Sequence, residues 1–364
     1  MARIDAFLEL GREQGCSDIH LAVGVPPMIR IHGELQPIKY RNLSAEELHD
    51  LVDEILDKEQ RKQFAQGIDL DISYYSEKAG RYRANLYHKI SGVGGAFRVI
   101  PEEIPKLKDL GMPPVVEKLL DANQGLILVT GATGTGKTTT LAAMIDWINH
   151  HRKFNIITLE DPIEYIHKSN ESLVIQRSVG VHVKSFKDGL HAALREDPDV
   201  ILVGELRDPE TINLAMTAAE TGHLVLGTLH TTSAVKTLDR IIDAMPAEQK
   251  PLAAMFLAQH LKGVICQKLV RTADGRNRKA ILEIMINTPG IANLILNRKI
   301  FQIPANLQTG RELGMQLMDQ ALLEAIKNKE IDPDDAYVHA TDKKQFQRFV
   351  TNPELLPQVN LAVS

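Results

Sequence analysis

The chain reads as an α/β protein, with a parallel sheet covered by helices over residues 115–364 and a smaller α+β domain over residues 1–100. Three observations predict this. From Gly125 onward, short apolar runs alternate with longer helical stretches, the pattern of strands joined by crossover helices. The apolar run Leu126 to Val129 leads into a glycine-rich loop and then a helical segment, Thr139 to Asn149. Between the two halves, Ile100 to Pro114 carries four prolines among several charges, a composition shift expected of a linker over residues 101–114.

In the N-terminal part, Ile4, Phe7 and Leu8 share one face of a first amphipathic helix, and Asp5 and Glu9 interrupt any leader-like apolar core, so no signal peptide is expected. Met28 to Ile31 reads as a strand. Ser44 followed by Glu47 forms a capping box that opens one long helical stretch to Gln66, and β-like segments follow from Ile68 to Val99. In the second part, Leu126 to Val129, Ile156 to Leu159, Val200 to Val203 and Leu224 to Leu229 read as strands. Beyond Ala247 the strands thin out, and Gln249 to Gln267 and Met315 to Lys329 read as amphipathic helices. No internal repeat or low-complexity tract is present.

Composition bounds the function. A length of 364 residues suits two to three domains, and 44% hydrophobic with 24% charged residues is the balance of a soluble globular protein. The formal charge of −5 leaves no global basic excess for phosphate backbones, so no nucleic-acid partner is expected. Two cysteines, Cys16 and Cys266, supply neither a disulfide framework nor a four-cysteine zinc module. No stretch has the eighteen or so uncharged apolar residues of a membrane span, so a cytoplasmic protein without direct membrane insertion is expected.

The sharpest motif is Gly131-Ala132-Thr133-Gly134-Thr135-Gly136-Lys137-Thr138, which matches G-x-x-x-x-G-K-[ST] at every fixed position between a strand and a helix. Glycines let backbone N–H groups curl around a phosphate, and the following helix presents its positive end to the same anion. Lys137 then neutralises β/γ-phosphate charge, and Thr138 places its hydroxyl on Mg²⁺. The alternative is a plain glycine-rich turn.

Three further clusters belong to this chemistry. Asp199 to Glu205 is an apolar strand ending in a carboxylate, where nucleotide hydrolases place their metal and water machinery, although Gly204 stands where an Asp is usual. Glu160, Asp161 and Glu164 end another strand and offer metal-side carboxylates; the alternative is a solvated turn closed by Asp-Pro. His223 and His230 bracket one short apolar run at a spacing of seven, which matches no zinc signature. They read either as satisfied polar residues or, for His230 with Thr228, as a γ-phosphate sensor.

Four segments in order carry a resemblance over nearly the whole chain: Ser17-Asp-Ile-His-Leu21; the phosphate loop with Thr138, Thr139 and Thr140; Leu159-Glu-Asp-Pro-Ile-Glu-Tyr165; and Leu194 to Arg207 leading to Glu220-Thr-Gly-His-Leu224. In these the sequence resembles the PilT-type ATPases, the type IV pilus retraction motors of the secretion ATPase superfamily. The resemblance implies a PAS-like N-terminal domain on a RecA-like P-loop NTPase domain, assembled as a homo-hexamer that uses ATP and Mg²⁺. It implies action on an inner-membrane pilus platform protein from the cytoplasmic face. It makes Gly204 an ordinary feature, and it puts the phosphate loop, Thr139 included, on the nucleotide. It assigns Glu160, Asp161 and Glu164 to an acidic box, and His223 and His230 to a histidine box. Glu205, which ends the strand beside the phosphate loop, is expected to position or deprotonate the attacking water, with Glu164 in reserve. Arg81, Arg83 and Arg98 are candidates for reaching a nucleotide across a subunit interface; the alternative for each is a surface arginine on a strand.

One segment departs from the pattern. The retraction motors carry Ala-Ile-Arg-Asn-Leu-Ile-Arg-Glu in a late helix, and here Ala292 and Leu296 replace both arginines. That suggests an accessory paralogue of the PilU type working with a partner retraction ATPase. A pilus-assembly or type II secretion ATPase, a nucleotide-binding regulatory ring and a DNA translocase are the competing readings.

Overall fold

The computed structural model describes residues 2–31 and 33–356. Its chain divides into two compact units, Met1–Glu103 with Pro162–Ile166, and Ile104–Asp161 with His167–Ser364.

The first unit runs α1 (Asp5–Glu13), β1 (Asp18–Ala22), β2 (Met28–Ile31), β3 (Glu34–Pro37), α2 (Ala45–Asp53), α3 (Lys58–Ala65), β4 (Leu70–Ser76), β5 (Gly80–Lys89) and β6 (Gly92–Ile100). Its six strands pair in the order β3-β2-β1-β6-β5-β4, all antiparallel. Burial alternates along β5: Tyr82, Ala84 and Leu86 join Ile4, Leu8, Ile19, Leu48 and Phe97 in the core, while Arg81, Arg83 and Asn85 face away from it. That is the one-sided sheet expected when helices cover a single face.

Two local expectations need correction here. The stretch from Ser44 to Gln66 is two helices, because Asp57 begins a second one with a full capping box of its own: its carboxylate takes the N–H groups of Glu59 and Gln60, and the Gln60 side chain returns to the Asp57 N–H. At Ser44 only half of the expected box forms. Its hydroxyl accepts the Glu47 N–H, but the Glu47 carboxylate is held by Arg41 at 2.7 and 2.9 Å.

The second unit contains α4 (Pro114–Leu120), β7 (Gly125–Thr130), α5 (Lys137–His151), β8 (Asn155–Glu160), β9 (Leu173–Ser178), α6 (Phe186–Ala193), β10 (Val200–Val203), α7 (Pro209–Glu220), β11 (Leu224–Leu229), α8 (Ala234–Ala244), α9 (Lys250–His260), β12 (Leu261–Arg271) and β13 (Arg278–Ile286). It closes with α10 (Pro289–Leu296), α11 (Ile303–Thr309), α12 (Met318–Lys327), α13 (Pro333–His339) and α14 (Lys343–Phe346). The sheet order is β13-β12-β7-β11-β10-β8-β9, parallel except for the last hairpin strand β13. Along β7, Leu126 and Leu128 pack into the core shared with α6–α9, while Ile127 and Val129 pack into the core shared with α4 and α5. A strand buried on both faces has to read as an unbroken apolar run, as it does in this sequence. Leu107 and Met112, from the proline-rich segment, are buried in the α4–α5 core.

The helix expected over Gln249 to Gln267 is half strand. α9 stops at His260, and Leu261 turns the chain straight into β12 with no glycine or proline between them. The apolar run passes through the change without interruption, so periodicity alone does not reveal it.

Candidate nucleotide site

The glycine-rich loop leaves the buried end of β7, where the Thr130 hydroxyl donates to Cys266 Sγ at 2.9 Å on the neighbouring β12. It re-enters helix at Lys137 through Gly136, whose φ of 86° is a left-handed conformation that favours glycine. Ala132, Thr133, Gly134 and Thr138 are exposed on the loop and first helical turn, Thr139 is half-buried, and the Thr135 hydroxyl closes the loop onto the Ala132 carbonyl at 2.9 Å. Lys137 Nζ donates to the carbonyls of Gly131 and Ala132 at 2.8 and 2.9 Å. Burial lowers the Lys137 pKa, only partly offset by the charge of Glu205. A half-buried ammonium held by two neutral carbonyls in front of a helix N-terminus fits an anionic phosphate ligand.

Glu205 lies just beyond the end of β10. Its Oε1 takes Arg207 Nε at 2.6 Å and His230 Nε2 at 3.0 Å. Burial pushes the Glu205 carboxyl up, but Arg207 and His230 outweigh it, and the net pKa lies below the usual carboxylate value. His230 Nδ1 is 3.5 Å from Lys137 Nζ. The ring thus lies between an ammonium, which only donates, and a carboxylate, which only accepts. Gly204 has a packing reason: a Cβ there would come within 3.0 Å of the Leu159 carbonyl on β8, and the Gly204 carbonyl also accepts the Thr228 hydroxyl. An aspartate at this position would crowd the neighbouring strand.

Residues 13–348 match the type II/IV secretion system protein family. The chain is 47% identical over 319 residues to the type IV pilus retraction ATPase PilT of Pseudomonas aeruginosa, covering 88% of this chain and 92% of that one. It is 39% identical over 336 residues to the type IV pilus ATPase PilU of the same organism, covering 92% and 88%. The crystal structure of the pilus retraction motor PilT with bound ADP superimposes with a TM-score of 0.89 at 42% identity, over 96% of this chain and all of that one. The chain belongs to the type II/IV secretion system protein family.

In this family member the acidic box is divided. Glu160 is 8% exposed, and its Oε1 already accepts the Thr158 hydroxyl at 2.6 Å and the Gln176 amide at 3.1 Å. Asp161 is exposed and close enough to act on Arg207, whereas Glu164 belongs with residues 162–166 to the first unit. Among the described residues no three His, Cys, Asp or Glu side chains converge as a metal cage. The histidine box separates as well. His223 sits at the opposite end of β11, where its Nδ1 meets the Ala218 carbonyl at 2.8 Å at the end of α7.

Arg81, Arg83 and Arg98 all lie on the uncovered face of the first unit's sheet. Ser73, Arg83, Arg98, Asp18 and Arg30 are successive partners in one cross-strand row, and Asp18 holds Arg98 at 3.0 Å. Arg81 donates to the Ser73 hydroxyl at 3.3 Å and covers the Tyr75 ring. Residues that the motifs did not single out also shape the site: Arg207, which holds Glu205, and Gln267, whose amide bonds both the loop and α5. A helical reading of residues 249–267 hides Gln267, and Arg207 stands two residues after Glu205 in no pattern that assigns it a role.

Proposed function

We propose that this chain is an ATP-hydrolysing motor that powers type IV pilus retraction, working as a homo-hexamer on an inner-membrane pilus platform protein from the cytoplasmic side. The observation that carries the catalytic part is the connected run of Lys137, His230 and Glu205 beside the loop 131–136. The backbone N–H groups of Gly131 to Thr139 and the Lys137 ammonium bind the β- and γ-phosphates, and Lys137 exchanges its two loop carbonyls for phosphate oxygens. Thr138 and Glu205 would hold Mg²⁺, which when bound would neutralise phosphate charge. Glu205, kept ionised by Arg207 and His230, orients and deprotonates the attacking water. His230 contacts both the phosphate-side cation and the base, the position from which loss of the γ-phosphate is sensed. Arg83 and Arg98 face each other across strands; Asp18 already offsets the charge of Arg98, and an anion from a neighbouring subunit would offset that of Arg83.

Among the described residues no helix is long and apolar enough to cross a membrane, so attachment to the membrane is assigned to the partner. Deleting the gene separates a retraction motor from an assembly motor. Loss of twitching with accumulated surface pili is expected, because extension then runs unopposed; loss of the pili themselves would make it an assembly ATPase. A second reading, the accessory ring, rests on α10, where Ile291 and Ile295 are buried and Leu296 stands 53% exposed in place of an arginine.

A further inference from the structure

We infer that Gln267 is a positioning residue for the phosphate loop: from β12 it fixes the Thr135–Gly136 peptide so that the loop is held open for a nucleoside di- or triphosphate. The inference rests on the reading of residues 131–138 as the nucleotide loop.

Gln267 is 3% exposed, and both ends of its amide are used. Nε2 donates to the Thr135 carbonyl at 2.6 Å, and Oε1 accepts the hydroxyl of Thr140, itself buried in the first turn of α5, at 2.8 Å. One side chain thus ties the last part of the loop to the helix that follows it, from a strand 132 residues away in sequence. Gly136 makes room for this tie, since a Cβ there would lie 2.9 Å from Nε2. Because a peptide unit is planar and trans, a Thr135 carbonyl aimed at Gln267 turns the Gly136 N–H the opposite way, away from β12. A phosphate cradle needs its amide dipoles oriented before the ligand arrives, and each amide left to find its orientation on binding costs affinity.

β12 has the right anchorage for this role. It is bonded to β7 on one side and to β13 on the other, and the Thr130 hydroxyl meets Cys266 at the residue before Gln267. The loop is therefore pinned at its start through Thr130 and near its end through Thr135, both times to the same short stretch of β12.

The test uses the full-length chain and the affinities for ADP and for a non-hydrolysable ATP analogue, measured by titration calorimetry. Gln267→Leu removes both hydrogen bonds, and both affinities are expected to fall by about tenfold, the size of one lost bond to a half-buried carbonyl. The maximal turnover at saturating ATP is expected to stay within about threefold, so that the loss appears in KM. Gln267→Glu supplies the readout that a purely structural role would not move. Its carboxylate still accepts from Thr140 but has no proton for the Thr135 carbonyl, whereas the protonated form does. ADP affinity of this variant should therefore recover as the pH is lowered from 8 to 6, while the wild type changes little over the same range. If Gln267→Leu does not fold, Thr140→Val removes one anchor and should weaken ADP binding, and Thr140→Ser, which keeps the hydroxyl, should restore it. Lys137→Ala is the control. Loss of ADP binding in Lys137→Ala with no change in Gln267→Leu, or no pH-dependent recovery in Gln267→Glu, overturns this inference alone. Unchanged ADP binding in Lys137→Ala overturns the nucleotide-loop reading and the inference together.

Discussion

His230 Nε2 lies 3.0 Å from Glu205 Oε1, a contact made at the ends of neighbouring strands β11 and β10 by residues 25 apart in the chain. The same ring reaches Lys137 with its other nitrogen. The group assigned to phosphate charge and the group assigned to the attacking water are therefore joined by one side chain. Any change that moves the ring alters both.

Glu205→Gln should bind ATP with near wild-type affinity and hydrolyse it about 10²- to 10⁴-fold more slowly, the usual worth of a positioned general base. Glu164→Gln is the comparison, since Glu164 is the reserve candidate for the same role. Single-turnover hydrolysis of both variants decides between them. Persistence of turnover in Glu205→Gln with its loss in Glu164→Gln would exchange the two assignments.

Removing Arg207 should change the pH dependence. In the wild type the Glu205 pKa is depressed despite burial, because Arg207 and His230 stabilise the anion. A carboxylate with a depressed folded pKa contributes stability above its unfolded value, and that contribution is lost as the pH falls through the folded one. Arg207→Gln leaves burial and removes the strongest stabilising partner, so the acidic limb of kcat/KM should move to higher pH. A limb that stays in place, or moves lower, would mean that Glu205 is not the group being titrated.

Replacing Arg81, Arg83 and Arg98 one at a time by Ala should lower turnover by about 10³-fold for any that reaches a neighbouring subunit's phosphates, with little effect on ADP affinity. Truncation offers a second approach. A fragment beginning at Ile104 keeps Leu107 and Met112 in their core and lacks all three arginines. Hydrolysis by this fragment at the full-length rate, under conditions where sedimentation shows the full chain as a ring, would remove the arginines from catalysis.

The late helix should bear on pilus work rather than on ATP. Ile291 and Ile295 are buried and Leu294 packs against the same core, while Leu296 is exposed and Ala292 half-buried, so Leu296→Arg should leave stability unchanged, Ala292→Arg should cost little of it, and ATPase activity should be retained in both. The expected outcome is weak or partner-dependent twitching when this gene alone is supplied to a strain lacking all of its own retraction ATPases, and improvement with the two arginines restored. Full twitching by the unmodified chain would discard the accessory reading, a result in keeping with its 47% identity to PilT against 39% to PilU.

Much of the second unit is legible in the sequence, and for a physical reason. Strands β10 and β11 are buried on both faces, so each appears as a continuous apolar run, ending at Gly204 and at His230, and the expected bounds of both agree with the structure. The loop 131–138 is legible because its backbone demands specific residue types at specific positions, and the family follows from motifs of that kind. The two-helix break at Asp57 was legible in principle, since Asp57 and Gln60 have capping-box spacing.

What only the tertiary structure decides is which of these residues meet. Glu160 is as acidic in sequence as Glu205, yet β9 brings Gln176 against it while β11 brings His230 against Glu205. His223 and His230 are equivalent as residues, but a six-residue strand sends them to opposite ends of the sheet. Gln267 reaches the loop only because β12 pairs with β7, and no local pattern distinguishes β12 from a continuation of α9. Local propensity and periodicity are properties of a few neighbouring residues. Strand order, which sets the contacts between residues far apart in the chain, is settled by how the whole sheet buries its two faces.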